Sequence, residues 1–254
     1  MNTPTSRAVL LLHRRDNASH EAQRLTLALR EHGFDVATFS FDAFSEGGWH
    51  SIRHWISDSR IEIERQAVRH SEINLCGVGL GGALALVVAA EVPDKIDSLV
   101  LISPTLSADL LKTSRPRFLL SVESWLAEGQ VRRRRRGRKL IASGAEDRTA
   151  GAIGDEISPA HLQVVRKLTR SAKDVLERVH APTLMLHASG DAATMTDVRY
   201  VQVHIGARFL EVILESSGGS TKSGDDLDRA ALKAVEFFND AARRRALPPM
   251  ASRS

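Results

Sequence analysis

The amino-acid sequence predicts an α/β protein with an open, mostly parallel sheet of about six strands and helices on both faces. Short apolar runs alternate along the chain with longer segments of helical periodicity. The apolar runs are continuous rather than alternating, which is typical of strands buried on both faces of a parallel sheet. The segments between them are long enough for crossover helices, which must cover the sheet on each side.

The first half of the chain supplies three strand-and-helix units. Strands are predicted at residues 7–13, 35–44 and 73–78, and helices at residues 20–34, 51–69 and 80–91. Apolar side chains recur along the first two helices: Ala22, Leu25, Leu27 and Leu29, then Ile52, Trp55, Ile56, Ile61 and Ile63. Gly33 is expected to end the first helix as its C-terminal cap. The third helix, "LGGALALVVAAEV", is apolar on every side and is therefore predicted to lie in the core.

The second half supplies three more strands after a long interruption. Strands are predicted at residues 98–104, 181–189 and 208–216, and helices at residues 196–205 and 226–244. Between residues 105 and 180, "RFLLSVESWLAEG" and "ISPAHLQVVRKLTR" predict helices without a strand. The strand pattern resumes unchanged, so we expect an insertion above the sheet rather than a second domain. The prediction is one domain, 1–254, with a cap at about 105–180 and a flexible C-terminal tail at about 246–254.

Composition indicates one cytoplasmic domain. A chain of 254 residues with 43% hydrophobic residues can build one large core. Cys76 is the single cysteine, which excludes an internal disulfide and suits a reducing compartment. The first apolar run, in "MNTPTSRAVLLLHRR", is too short for a signal peptide. The longest apolar run covers about thirteen residues, and a membrane-spanning helix needs roughly 20.

The positive charge is concentrated in two places. The chain has a net charge of +4, but one run from position 132 to 139 carries most of the excess: Arg132, Arg133, Arg134, Arg135, Arg136, Arg138 and Lys139. Three more arginines occupy positions 243–245, so the remainder of the chain is acidic. This distribution argues against a broad nucleic-acid-binding face. The run is interpreted either as a solvated segment or as a local contact with an anionic membrane or polymer.

The loops at the carboxyl ends of the strands carry a resemblance to a known family. Ligands bind at that edge of a parallel sheet. In chain order, "VLLLHRR", "GVGLGGALAL", "APTLMLHASGD" and "LESSGGS" correspond to a His-Gly strand end, a G-x-S-x-G-G nucleophile elbow, the strand before a catalytic acid and the strand before a catalytic histidine. Over nearly its whole length the chain resembles α/β-hydrolases of the monoacylglycerol lipase, carboxylesterase and thioesterase-like type. The segment "GDEISPAHLQVVRKL" is similar to the cap of bacterial thioesterase-like hydrolases.

The resemblance implies a catalytic triad in which two members are missing. Gly79 occupies the position of the serine, Gly219 occupies that of the histidine, and Asp191 matches the acid. Acyl transfer in this fold needs a serine oxygen, a histidine to take its proton and a carboxylate to orient the histidine. A conventional esterase or thioesterase mechanism is therefore expected to be lost.

The resemblance also places the two oxyanion donors, which are the backbone N–H groups of Arg15 and Leu80. Arg14 stands where the family has a glycine, so the geometry of the first loop is expected to differ. Two interpretations are open. Either both arginines point to solvent, or they convert the oxyanion hole into an anion-binding mouth beside the helix that starts at Leu80.

Glycine at the apex of the elbow has a physical explanation. The nucleophile elbow holds its central residue at positive φ, which costs an ordinary residue about 1 to 3 kcal/mol. Once a hydroxyl is no longer needed, glycine removes that strain. Gly77, Gly81 and Gly82 remain because the turn and the helix packing need them with or without catalysis.

Other chemical groups give weaker signals. Cys76 is interpreted as a buried, inert thiol. His187 and Asp191 are four residues apart without a third ligand nearby, so no metal site and no cofactor are predicted. His13, at the end of its strand, is expected to order a loop. The hydroxyls near the lost histidine belong to Ser216, Ser217, Ser220 and Thr221, and no base is evident beside them.

Three functions remain open at this stage. The favoured one is a catalytically silent hydrolase homologue, or pseudoenzyme, that binds a small molecule or a protein partner in the former active-site cleft. The second is a hydrolase-like enzyme with an unconventional site for an acyl or anionic substrate, which requires a base that the sequence does not identify. The third is an interaction module that binds anionic surfaces through the arginine run.

Overall fold

The computed structural model of the chain describes residues 7–15, 19–42, 49–107, 159–189, 192–216, 225–240 and 244. The strands within these ranges are β1 (Arg7–Arg14), β2 (Asp35–Phe41), β3 (Glu72–Val78), β4 (Ser98–Ile102), β5 (Thr183–Ser189) and β6 (Leu210–Ser216). The α-helices are α1 (Ser19–Glu31), α2 (Trp49–Ala67), α3 (Leu80–Glu91), α4 (Pro159–Asp174), α5 (Ala192–His204) and α6 (Asp225–Asn239). Each predicted strand is present, mostly within a few residues of its expected bounds.

The six strands form one sheet in the order β2-β1-β3-β4-β5-β6, and every neighbouring pair is parallel. The predicted open α/β architecture is therefore confirmed. The chain moves from β1 outward to β2, then returns to place β3 on the other side of β1. Such a reversal leaves an opening at the carboxyl ends of β1 and β3. We call this opening the β1/β3 crevice.

Helices cover both faces of the sheet because alternate strand residues point to opposite sides. One face carries Leu10 and Leu12 of β1 and packs against α2, α3, α4 and α5. The other face carries Val9 and Leu11 and packs against α1 and α6. The strands are thus apolar on both sides, which explains their continuous hydrophobic runs.

The central helix α3 is buried from Leu80 to Ala90. Its small residues permit close approach to the sheet, so the predicted core helix is confirmed. Among the residues that the structure describes, no helix is long and apolar enough to cross a membrane.

The structure refines three details of the predicted elements. Leu27 is 59% exposed, since two residues along a helix lead to the opposite side from the buried Leu25 and Leu29. Ile61 of α2 is exposed for the same reason. Helix α4, inside the predicted insertion, packs in the main core through Val164, Val165 and Leu168.

Candidate active site

The elbow between β3 and α3 consists of one residue, Gly79, with φ 57° and ψ −120°. Its N–H donates to the carbonyl of Ile102 at 2.9 Å, and its carbonyl accepts from the N–H of Thr105 at 2.9 Å. Both partners belong to the end of β4 or directly follow it. The turn is therefore held rigidly by the neighbouring strand.

Three glycines around the elbow are required by close contacts. A Cβ on Gly77 would lie 2.6 Å from the carbonyl oxygen of Gly81, and one on Gly81 would lie 2.1 Å from the carbonyl oxygen of Leu12. A Cβ on Gly82 would lie 2.8 Å from the Cβ of Pro104. These distances are too short for any side chain. The packing of α3 against the sheet thus depends on glycine at all three positions.

Gly79 differs from these three glycines. The described residues place no atom within 4 Å of the position that a Cβ would take there. Its positive φ is the one local feature that favours glycine. The elbow backbone accordingly retains open space for a side chain that the sequence does not supply.

The end of β1 forms the other side of the β1/β3 crevice. Arg14 is the last residue of this strand and is half-buried, and Arg15 is exposed. The backbone N–H of Arg15 donates to the carbonyl of Phe41 at 2.7 Å. One of the two N–H groups expected to bind an oxyanion is therefore engaged with β2 in this conformation.

His13 precedes the two arginines and is buried. Its Nδ1 lies 2.9 Å from the carbonyl oxygen of Arg14, and since a carbonyl oxygen only accepts, Nδ1 carries the proton. This bond lies at the end of β1. Residues 16–18 of the loop that follows lie outside the described residues, so the role of His13 in ordering that loop stays a prediction.

Leu80 occupies the second expected oxyanion position. As the first residue of α3, it has a backbone N–H without a partner inside the helix. Its side chain is buried in the main core. The start of the helix is therefore fixed by packing, and the N–H of Gly82 in its first turn donates to the carbonyl of Gly79 at 3.0 Å.

The structure adds two residues that sequence reasoning did not bring together. Ser103, directly after β4, has φ 44°, and its N–H donates to the carbonyl of Leu186 at 2.8 Å. The β4–β5 register pairs Ile102 with Leu186, so Ser103 and His187 are the next neighbours at the carboxyl edge. Both are half-buried. A serine at positive φ is uncommon, and no sequence pattern signals it.

Other predicted site residues lie outside the described ranges, so their placement stays a prediction. These are Asp191, Gly219 and the run Arg132, Arg133, Arg134, Arg135, Arg136, Arg138 and Lys139.

A partly buried ion pair joins α4 and α5. Asp197 of α5 has a side chain that is 5% exposed, and Lys173 of α4 donates to its carboxylate at 3.1 Å. The backbone N–H of Leu106 donates to the same carboxylate. Lys173 Nζ also lies 4.9 Å from the centre of the Tyr200 ring. Asp197 therefore ties the chain after β4 to α4 and α5.

Cys76 lies in β3, fully buried, and its burial raises the pKa of the thiol to about 12. We expect Ellman's reagent to leave the folded protein unmodified at pH 8 and to modify one thiol once the protein is unfolded in denaturant. Rapid modification of the folded protein, with its circular dichroism unchanged, would contradict the interpretation of Cys76 as an inert core residue.

Known structures share this architecture. A structure of the lipolytic enzymes LipS and LipT, derived from a metagenome, aligns with a TM-score of 0.61 at 16% identity, over 93% of this chain and 95% of the other. The monoacylglycerol lipase of Paleococcus ferrophilus aligns with a TM-score of 0.63 at 19% identity, over 92% of this chain and 94% of the other. Est1E from Butyrivibrio proteoclasticus with bound ferulic acid aligns with a TM-score of 0.61 at 17% identity, over 95% of this chain and 92% of the other. At such identities the likeness establishes the fold alone.

Sequence comparison supplies the family. No curated protein matches the chain significantly. The model of the family described as serine aminopeptidase, S33 matches residues 3–200, which is more than half of the chain. The chain therefore belongs to this serine aminopeptidase S33 family of α/β-hydrolases.

Proposed function

We propose that this α/β-hydrolase-fold protein is a catalytically silent homologue that uses its former active-site cleft to bind a small molecule or a protein partner. The observation that carries the proposal is Gly79. The backbone there keeps the positive φ of a nucleophile elbow, and both of its polar groups are fixed by the end of β4. Gly79 itself supplies no nucleophilic side chain at this turn.

The chemistry of the crevice supports the loss of the reaction. Acyl transfer by the family route begins with attack by a hydroxyl or thiol, and Gly79 has neither. The N–H of Arg15, at the first oxyanion position, is bonded to Phe41. A tetrahedral oxyanion would lose one of its two donors, and one such donor is worth about 3 kcal/mol of transition-state stabilisation. Gly219, at the histidine position, would remove the base as well.

The same geometry supports binding. None of the described residues fills the space above Gly79, and both backbone polar groups of Gly79 are hydrogen-bonded, so a ligand would meet a preformed surface. Arg14 and Arg15 lie at the end of β1, on one side of the crevice. We propose that they attract an anionic or acyl-carboxylate ligand, with the N–H of Leu80 as a hydrogen-bond donor.

A cap over the crevice is part of the proposal. Helix α4 packs in the main core, so the part of the insertion that covers the crevice would precede Pro159. The arginine run falls in that part of the sequence. Its contact with an anionic surface would thus be a property of the cap rather than of the sheet.

An assay for turnover tests the proposal. The purified protein is expected to release no product above a blank from short- and medium-chain nitrophenyl esters or from acyl thioesters. A double variant, Gly79→Ser with Gly219→His, is expected to gain turnover because the structure leaves room for a side chain at position 79. The matched control, Gly79→Ala with Gly219→His, should stay inactive. Clear turnover of the natural chain that Asp191→Asn abolishes would contradict catalytic silence.

The second candidate function, an enzyme with an unconventional site, is favoured by the neighbouring Ser103 and His187. They supply a hydroxyl and an imidazole at the carboxyl edge that Gly79 shares. Turnover of the natural chain that survives Gly79→Ala but disappears in Ser103→Ala would assign the activity to this pair. Absence of turnover in the natural chain removes this candidate.

A further inference from the structure

The strand β2 lies at one edge of the sheet and pairs with β1 alone among the described strands. Successive residues of a strand direct their N–H and C=O groups to opposite sides. The carbonyl of Phe41 accepts a hydrogen bond from the N–H of Arg15, which directly follows β1. The backbone N–H and C=O groups of the odd-numbered residues of β2 therefore point toward β1. The carbonyl of Val36 accepts from the guanidinium of Arg30 at 3.0 Å, as expected for an outward group. Val36, Thr38 and Ser40 therefore present their backbone groups away from the sheet.

This edge carries few of the features that prevent strands from pairing with other chains. The sequence of β2, "DVATFSF", has no proline and no lysine, and its one charged residue is Asp35 at its start. Its register with β1 is unbroken over seven residue pairs, so no bulge twists it away. The opposite edge differs, because β6 carries Glu211 and Glu215, and Arg244 lies 3.7 Å from Glu211.

Apolar groups flank β2 on both faces of the sheet. On the α1 side, a groove of about 500 Å³ runs between the helix and the edge, lined by His13, Ala22, Gln23, Thr26, Leu27, Arg30 and Thr38. Leu27 stands exposed at this groove. On the α2 side, Phe39 and Ile56 pack against the core and remain half-exposed. An added strand would shield these side chains as well as the backbone of the edge.

We propose that the β2 edge is a homodimer interface, in which β2 pairs antiparallel with β2 of a second copy about a two-fold axis at Thr38. The three outward residues are symmetric about that position. Thr38 lies opposite Thr38 of the second copy, and Val36 lies opposite Ser40, so every outward N–H and C=O finds a partner once Arg30 releases Val36. Self-complementarity of this kind is what a two-fold interface requires.

The side chains agree with the same arrangement. A two-fold axis perpendicular to the sheet brings the α1 helices of the two copies together on one face, so each exposed Leu27 faces the groove of the other copy. Each copy thus supplies both an exposed apolar side chain and the groove that receives it, which favours a second copy over an unrelated strand. The Asp35 carboxylate at the start of β2 keeps its partner within its own copy, since it lies 3.1 Å from Nε2 of His70.

Size-exclusion chromatography with light scattering, over a range of concentrations, tests the interface. The natural chain is expected to have twice the monomer mass at micromolar concentration. Thr38→Pro removes the outward N–H of residue 38 but breaks no hydrogen bond to β1. Because each copy loses this N–H, the dimer loses two hydrogen bonds, and its dissociation constant should rise about 30-fold. Val212→Pro, which removes an outward N–H from β6 at the opposite edge, should leave the dimer intact. Thr38→Val keeps the backbone N–H of residue 38, so it should leave the dimer intact as well. Circular dichroism confirms that each variant is folded.

A cysteine cross-link gives a second, independent readout. Directly opposed, hydrogen-bonded residues of antiparallel strands have Cα atoms about 5.5 Å apart, within the range that a disulfide spans. Cys76 is buried, so Thr38→Cys provides the accessible thiol. Oxidation of the Thr38→Cys variant should link two copies by a disulfide at position 38. Oxidation of the Val212→Cys variant should leave the copies unlinked. A natural chain that is monomeric throughout the concentration series, or a dimer that Thr38→Pro leaves unchanged, would overturn the proposal, whatever the outcome of the turnover assay.

Discussion

Replacement of Gly81 by alanine is expected to lower the free energy of unfolding by more than about 4 kcal/mol. The added Cβ would lie 2.1 Å from the carbonyl oxygen of Leu12 and 2.6 Å from its carbonyl carbon. Both atoms are backbone of β1 in the middle of the sheet, so they cannot turn aside as a flexible side chain could. Helix α3 would have to move away from the sheet and lose contacts on a helix that is buried along its whole length.

Gly79→Ala is the matched control because it adds the same methyl group two residues earlier. The described residues place nothing within 4 Å of it, so its cost is confined to the positive φ, about 1 to 3 kcal/mol. Urea unfolding, followed by tryptophan fluorescence to which the buried Trp55 contributes, measures both variants. Equal losses at the two positions would show that α3 does not pack as the structure has it.

Asp197→Ala is expected to lower the free energy of unfolding by about 3 kcal/mol. The change removes the acceptor of Lys173 and of the Leu106 N–H in a buried setting. Since Lys173 is partly exposed and can turn toward solvent, the cost falls at the low end of the range for broken buried pairs. Asp197→Asn keeps the size of the side chain and an oxygen for Leu106, so it should cost less. Urea unfolding at pH 7 compares the two, and an Asp197→Ala variant as stable as the natural chain would contradict the role of the pair.

The pH dependence of Asp197 has a definite sign. Burial raises the pKa of this carboxyl above its ordinary value of 3.8, and this effect outweighs the opposing influence of Lys173 and Leu106. The folded chain therefore holds the proton to higher pH than the unfolded chain does. Relative to Asp197→Asn, the natural chain should be most stable below pH 3.8 and lose stability as pH rises through the pKa of the folded state. A relative stability that instead increases with pH over this window would contradict the assignment.

Much of the fold follows from local sequence patterns. The strands were predictable because residues such as Leu10 and Leu11 are apolar in succession, which a strand covered on both faces requires. The bounds of α3 coincide with the prediction because its apolar residues begin directly after Gly79 and end at Glu91. The end of β2 was less predictable, since Phe44 continues an apolar pattern beyond the last paired residue, Phe41.

The site was predictable only in part. The motif "GVGLGG" identifies the elbow, and the resemblance assigns Gly79 its position in it. The prediction that Gly77, Gly81 and Gly82 are needed is confirmed by their close contacts. The sequence could not name the atoms that require Gly81 and Gly82, because these belong to Leu12 and Pro104, which are distant along the chain. The hydrogen bond from Arg15 to Phe41 was equally hidden. This hydrogen bond depends on the register between β1 and β2, which is fixed by the packing of the whole sheet and not by residues near Arg15 in the sequence.

The sequence alone determined that this chain builds a parallel α/β sheet with a glycine at the sharp turn after its third strand. Both facts are local, because hydrophobic periodicity and turn residues act within a few positions along the chain. The tertiary structure alone decided that, among the described residues, no atom approaches the Cβ position of Gly79 while the backbone of β1 lies against that of Gly81. It also decided that Ser103 neighbours His187 and that β2 pairs with β1 alone among the described strands. These depend on the order and register of strands far apart in the sequence, which only the packing of the complete sheet fixes.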